Sequence, residues 1–424
     1  MFFPDLRFGS APLREAFPGY DPAGDARALV PSGHVSPATA PIPGHQFFGS
    51  FGPGSRYVVK IPAAWNGNLV VCGTPATRSE HANDLTFGDF LMARGYAVAS
   101  SNKGIPYNAF VEPTGGDSPA GRAYPIPFAM GDAPPGSAAI RLGALDPERV
   151  PVAAWHEDLP HLVRTASDIV RDTLGRKAVR TYAVGLSIGG GQVRYLVERY
   201  PELVDGALEW ASVYWHPDDN ILTYLPAFLT QMPAYVASGY ADRAAHDAIV
   251  AAGFPPDRVQ GRPHVSSLWN SHYAALPPFY ADLTIFLFAK LLDPHAPALD
   301  TPAARAAYVP SPAARAAVGA FAHSGKIERP LIGIAGDADV FVTPQHHFAP
   351  YVAAVRAAKR DDRYWPYLVR GGTHVDGYAA LGWNLQAQLP FVWAGFERLV
   401  RIVERGERPA GAGTIRTVDT PAAL

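Results

Sequence analysis

Three stretches of this chain carry residues whose types and spacing suit nucleophilic acyl transfer. In Gly185-Leu186-Ser187-Ile188-Gly189 one serine stands between two glycines. The apolar run Thr181-Tyr182-Ala183-Val184 leads in, and a helical pattern from Gln192 to Tyr200 leads out, stopped by Pro201. Downstream, Gly336-Asp337-Ala338-Asp339-Val340-Phe341-Val342-Thr343-Pro344 offers two carboxylates, and Gly371-Gly372-Thr373-His374-Val375-Asp376-Gly377 offers an imidazole. A serine hydroxyl is a poor nucleophile until a base takes its proton, and the base needs an acid to hold its tautomer. A glycine-rich turn in an ordinary core would explain the serine alone. It does not explain an acid and a histidine following in that order.

The elements around these residues must bring them together. A strand, a sharp turn and a helix around Ser187 would strain the serine backbone, with Gly185 and Gly189 allowing close approach. The amide of Ile188, at the helix start, would be free to stabilise an oxyanion. A second amide should come from the loop after the apolar strand Leu69-Val70-Val71-Cys72, which reads Gly73-Thr74-Pro75-Ala76-Thr77. Pro75 has no N–H, so Thr74 is the candidate, with Gly73 and Ala76 as alternatives. Ser55–Pro62 alternates like a half-exposed strand, and Ala64–Asn68 carries an Asn-Gly turn. Asp84–Arg94 reads as a helix with Leu85, Phe90 and Leu91 on one side, and Gly95–Ser101 as the next strand. An amphipathic helix over Asp158–Leu174 and a strand over 204–210 flank the serine. Pro330–Gly336 and Trp365–Arg370 read as strands leading to the aspartates and to His374, with a last helix near Gln388–Glu404. Strands alternating with helices imply a mostly parallel sheet covered on both faces.

Between Tyr214 and Lys326 strand patterns stop and aromatic-rich helical segments take over, as in an inserted helical cap. Plain helical core explains most of these aromatics. Tyr214, Trp215 and Trp269 are the candidates for substrate contact, Tyr214 and Trp215 because they leave a strand near the sheet's carboxyl edge. The expected organisation is an extended arm over 1–50, an α/β core over 51–213 and 327–405, a cap over 214–326, and a loose tail over 406–424. The Pro/Gly-rich stretch 113–151 reads as a long loop anchored by Tyr124, Ile126, Phe128 and Met130.

The chain has 424 residues, 48% hydrophobic and 17% charged, with a net charge of −2. That is ample core material, and it makes no electrostatic case for nucleic acid or an anionic membrane surface. The longest apolar stretch, Ala281–Leu292, is interrupted by Asp282 and Lys290 and is too short to span a bilayer. The single cysteine, Cys72, excludes an intramolecular disulfide and a cysteine-based zinc site. Met1–Arg7 lacks the basic and apolar regions of a signal peptide. The expectation is a cytoplasmic protein, or a secreted one whose signal has been removed.

With these motifs in view, the chain resembles the α/β-hydrolase superfamily, esterase type, over roughly residues 55–212 and 328–404. The resemblance implies an α/β-hydrolase fold and a serine hydrolase acting on a carboxylic ester through an acyl-enzyme, without a cofactor. The aromatic-rich helical segment suggests that the ester has an apolar or aromatic portion, and no two histidines stand at a metal-protease spacing. Ser187 resembles the nucleophile, His374 the base and Asp339 the acid, three residues after Gly336; Asp337 stays open as the alternative acid. Gly95–Gly104 and Gly185–Gly191 are similar to the tannase/feruloyl-esterase and hydroxyalkanoate-oligomer-hydrolase branch, but the disulfide-linked cysteines of tannase-type enzymes are absent. A serine peptidase or amidase would use the same three residues, and a noncatalytic binding protein could keep the scaffold.

Other residues compete less well. Lys103, in Ser101-Asn102-Lys103-Gly104, could meet a substrate carboxylate or be a solvated loop lysine. Trp215-His216-Pro217-Asp218-Asp219-Asn220 could hold Ca²⁺ or form a turn and helix cap. His346-His347 reads as a helix start, and Asp376 as a loop hydrogen-bonder.

Overall fold

The computed structural model describes residues 42–52, 55–76, 80–104, 151–260, 267–273, 280–299, 301–374, 376, 379 and 383–424. It gives backbone only at 85, 271–273, 280, 282 and 283, and in the short strands β1 (Asp5–Leu6), β6 (Glu112–Pro113), β7 (Ala123–Pro125) and β8 (Ala138–Arg141). The long loop expected over 113–151, with Tyr124, Ile126, Phe128 and Met130, falls outside the described residues apart from those strands, as do Thr77 and Phe279.

The main sheet is built from β2 (Ile42–Gly52), β3 (Ser55–Pro62), β4 (Asn68–Gly73), β5 (Ala97–Ser101), β9 (Arg180–Leu186), β10 (Gly206–Trp210), β11 (Leu331–Gly336), β12 (Tyr364–Val369) and β13 (Arg416–Val418), with β1 at one edge. Their order is β1-β2-β3-β5-β4-β9-β10-β11-β12-β13. The first three pairings are antiparallel and the remaining six parallel. Parallel strands buried on both faces need apolar residues at every position, and the period of two sorts them. Val70, Cys72, Tyr182, Val184, Leu186, Ile332 and Ile334 point into one core; Leu69, Val71, Ala183, Leu331 and Ala335 point into the other.

Helices close both faces. The first core is covered by α1 (Asp89–Met92) and α11 (Leu389–Arg405), whose Phe391, Phe396, Leu399 and Ile402 are buried. Each such side chain contributes about 1.5–3 kcal/mol on burial. The second is covered by α2 (Val152–Leu174), α3 (Ile188–Arg199) and α10 (Ala349–Ala357). Helix α2 starts six residues before the expected Asp158, because Pro151 is extended and Val152 and Trp155 already face the core. It ends at Gly175, whose φ of 68° only glycine adopts cheaply.

Between β10 and β11 the described residues form helices α4 (Ile221–Ala237), α5 (Arg243–Ala251), α6 (Leu268–Tyr273), α7 (Tyr280–Leu292), α8 (Pro302–Ala306) and α9 (Pro312–Gly319), and no named strand. They pack largely on one another.

Two segments are more ordered than their composition suggests. Residues 42–50 of the expected arm lie in β2, paired antiparallel with β3; the rest of the arm falls outside the described residues apart from β1. The tail expected to be loose returns to the sheet: β13 pairs with β12, Trp365 Nε1 donates to Pro409 O at 2.9 Å, and Leu424 is buried. Its three-residue strand is too short for a periodic signal.

Candidate active site

Strands β9, β11 and β12 run parallel, so the loops at their carboxyl ends share one edge of the sheet. Ser187 follows β9, Asp339 follows β11 and His374 follows β12. The backbone at Ser187 has φ 60° and ψ −121°, a conformation unfavourable for any side chain but glycine's. Its surroundings hold it there. Ser187 N donates to Trp210 O at 2.9 Å, and Ser187 O accepts from Val213 N and Gly191 N at 3.0 Å. The glycines admit the turn: a Cβ on Gly185 would collide with Gly189 O, and one on Gly189 with Gly73 O. The end of β4 therefore rests directly on the start of α3. That same Cβ on Gly189 would lie 2.8 Å from Thr74 N. The amide of Ile188 is in the first turn of α3, where helices offer no acceptor.

Asp339 is buried and fully engaged. Its Oδ1 accepts from Phe341 N at 2.8 Å and Val342 N at 2.9 Å, and its Oδ2 lies 2.9 Å from His374 Nδ1. A carboxylate only accepts, so Nδ1 carries the hydrogen and Nε2 is left as a base. The two loops meet because Gly336 and Gly372 touch through their backbones, and Ala338 N donates to Gly372 O at 2.8 Å. Phe341 stands edge-on to the imidazole, centroids 5.3 Å apart. Asp337 points elsewhere. Its Oδ1 accepts from Gly371 N at 2.7 Å, and Arg258 lies 3.8 Å away. Asp376 caps α11 through Gln388 N at 2.7 Å and Leu389 N at 2.9 Å.

The three aromatics expected at the substrate are buried in this structure. Trp215 and Trp269 expose 0% of their surface and Tyr214 6%. Trp215 packs on Phe288 and Phe321, and Trp269 against Tyr235 and His246 while its Nε1 donates to Pro255 O at 2.9 Å. Tyr214 lies between His216, His323 and Tyr351. The described aromatics of this segment pack on one another and on α2 and α10.

Lys103 is neither solvated nor aimed at solvent: it is 2% exposed, has φ 58°, and donates from Nζ to Thr74 O at 2.7 Å. In the oxygen-rich turn, Asp218 pairs with Arg315, Asp219 with His346 at 2.9 Å, and Asn220 caps α4 in a capping box with Thr223. No group of three or more ligating side chains among the described residues could hold a metal ion. No described helix is long and apolar enough to cross a membrane.

Sequence reasoning missed Tyr224 and His347. Tyr224 OH donates to Phe341 O at 3.0 Å and lies 2.7 Å from His347 Nε2, while His347 Nδ1 accepts from Tyr214 N at 3.0 Å. Helix α4 thus braces the loop that carries Asp339. His346-His347 belongs to a wide turn, Pro344–Phe348, that leads into α10. No local pattern marks these residues, since their partners are over a hundred positions away.

A solved structure with the same architecture is feruloyl esterase B from Aspergillus oryzae, which matches at a TM-score of 0.55 and 14% identity, over 88% of this chain and 84% of that one. The fold is that of the α/β hydrolases. An esterase from Aspergillus oryzae matches at a TM-score of 0.49 and 13% identity, over 96% and 86% of the two chains. No family model and no curated protein matches the sequence. On this fold the structure places a buried serine at a strand-to-helix turn and a buried Asp–His pair on loops at the same sheet edge, an arrangement consistent with a serine hydrolase.

Proposed function

We propose that this protein is a serine hydrolase of carboxylic esters. The observation that carries the reading is the Asp339–His374 hydrogen bond at the same sheet edge as the strained Ser187. Ser187 Oγ attacks the ester carbonyl as its proton passes to His374 Nε2, and the carbonyl electrons move onto oxygen. The amides of Ile188 and Thr74 hold that oxyanion. Collapse breaks the bond to the alcohol oxygen, which takes the proton from His374. Water then attacks the acyl-enzyme with His374 again as base, and the carboxylic acid leaves with Ser187 restored. Asp339 orients His374 throughout. Residues 214–326 serve as a cap, and the chemistry draws on no cofactor.

The substrate is read as an ester with an apolar or aromatic portion. Phe341 beside His374 supports that reading, and the similar fold of a feruloyl esterase makes a hydroxycinnamoyl ester a rational member of the first panel. The test is twofold. A fluorophosphonate should label Ser187, and p-nitrophenyl, hydroxycinnamoyl and hydroxyalkanoate esters should be compared with matched anilides. Labelling with faster anilide turnover would replace the esterase by an amidase or peptidase. Failure to label Ser187 would point to a noncatalytic scaffold.

A further inference from the structure

The loop after β4 is held by a set of buried polar groups that the reaction itself does not use. Thr74 is 1% exposed. Its Oγ1 donates to Ser101 O at 2.5 Å and accepts from Asn83 Nδ2 at 3.1 Å. The same Asn83 amide donates to Ser100 Oγ at 2.8 Å. The Thr74 carbonyl takes the Lys103 ammonium at 2.7 Å. Lys103 sits in a left-handed turn after β5, at φ 58°. Asn102 holds that turn, its Oδ1 accepting from Arg56 N at 2.8 Å and Gly104 N at 3.0 Å. From below, Ser101 Oγ donates to Asp158 of α2.

A buried ammonium and a left-handed lysine both oppose folding. The ammonium donates to the carbonyl of the residue whose amide packs on Gly189 beside Ser187, and it is near enough to the Asp158 carboxylate to offset part of the rise that burial causes in its pKa. We infer that Lys103 is a positioning residue for the oxyanion site. It fixes the Thr74 carbonyl while Ser101 and Asn83 fix the Thr74 side chain. The remaining polar group of Thr74, its N–H, then keeps one direction, over the start of α3. This inference rests on the hydrolase reading with Thr74 as donor.

The experiment compares wild type with Lys103→Met, which keeps the stem without the charge, Lys103→Gly, which keeps the left-handed turn, and Lys103→Arg, which keeps a cation. Rates are expressed per site titrated with a fluorophosphonate, so that poorly folding variants count only their folded fraction. For Met and Gly, kcat should fall about 10- to 100-fold with KM within about twofold, less than the ~10²–10³ that losing a whole oxyanion donor costs. Affinity for a trifluoromethyl ketone, whose adduct carries an oxyanion, should fall in parallel, and Lys103→Arg should recover part of both. Unchanged kcat per site, or a loss confined to melting temperature, would overturn the inference while Ser187 labelling upholds the hydrolase. Wild type that does not label at Ser187 would overturn both.

Discussion

Asp339 receives His374 Nδ1 on Oδ2, the oxygen that its own loop amides leave open. Asp337, two residues earlier, spends its carboxylate on Gly371 N. Asp339→Asn should therefore lower kcat by about 10⁴-fold, because an amide no longer enforces the Nδ1–H tautomer. Asp337→Asn should stay within a few-fold of wild type. Steady-state kinetics on any ester turned over by the wild type decide it, and the reverse ranking would reassign the acid.

Ser187→Ala should abolish hydrolysis, with losses on the order of 10⁴-fold or more, and leave the fold intact. Alanine at φ 60° is no worse placed than serine. Circular dichroism and an ester assay read the two effects separately. Retention of more than a few per cent of activity would move the nucleophile elsewhere.

Much of this site was legible because it is local. The glycines around Ser187 mark the turn by sequence alone, and the family resemblance favoured Asp339, three residues after Gly336, with Asp337 left open. What the sequence could not show is the packing: Gly336 lies against Gly372, Asp337 turns to Gly371 N, and Asp339 meets His374. Lys103 was misjudged because lysines are seldom buried, and its burial depends on an acceptor, Thr74 O, 29 positions away. Strand β2 was hidden by Pro43, Gly44 and Gly49, which a strand near a sheet edge tolerates. Trp215 and Trp269 show the limit of aromatic density, which reports that a segment packs but not which way each ring faces.

Tyr224→Phe tests whether α4 steadies the acid loop. The hydroxyl joins Phe341 O and His347 in a buried site, so its loss should cost about 1–3 kcal/mol. It should also reduce kcat by roughly 3- to 10-fold, short of the ~10² that a 1 Å misplacement costs. A melting-temperature change with kcat untouched would make the bond purely structural.

Trp215→Ala should lower stability by about 3–5 kcal/mol, as for other fully buried large rings. Its effect on chain-length preference should be nil, since the ring has no open surface. Thermal melts and a series of p-nitrophenyl acyl esters separate the outcomes, and a changed acyl preference would return Trp215 to the pocket wall.

Asp89 makes a prediction about pH. It is buried at the start of α1, and its Oδ2 has no hydrogen-bond partner among the described residues. Burial, and then the charge of Asp84, push its carboxyl up to about 8, against a smaller opposing pull from Lys60. The unfolded value is near 3.9. Between roughly pH 4 and 8 the folded chain therefore keeps a proton that the unfolded chain releases, and folding weakens as pH rises through that window. Asparagine has no such proton. The melting temperature of Asp89→Asn minus that of wild type should thus increase from pH 5 to pH 8 and level off above it. The trend is the test rather than the sign at any one pH, because the new amide brings donors of its own. A difference that stays constant from pH 5 to 9 would mean that Asp89 is already ionised in the folded protein, stabilised there by Lys60.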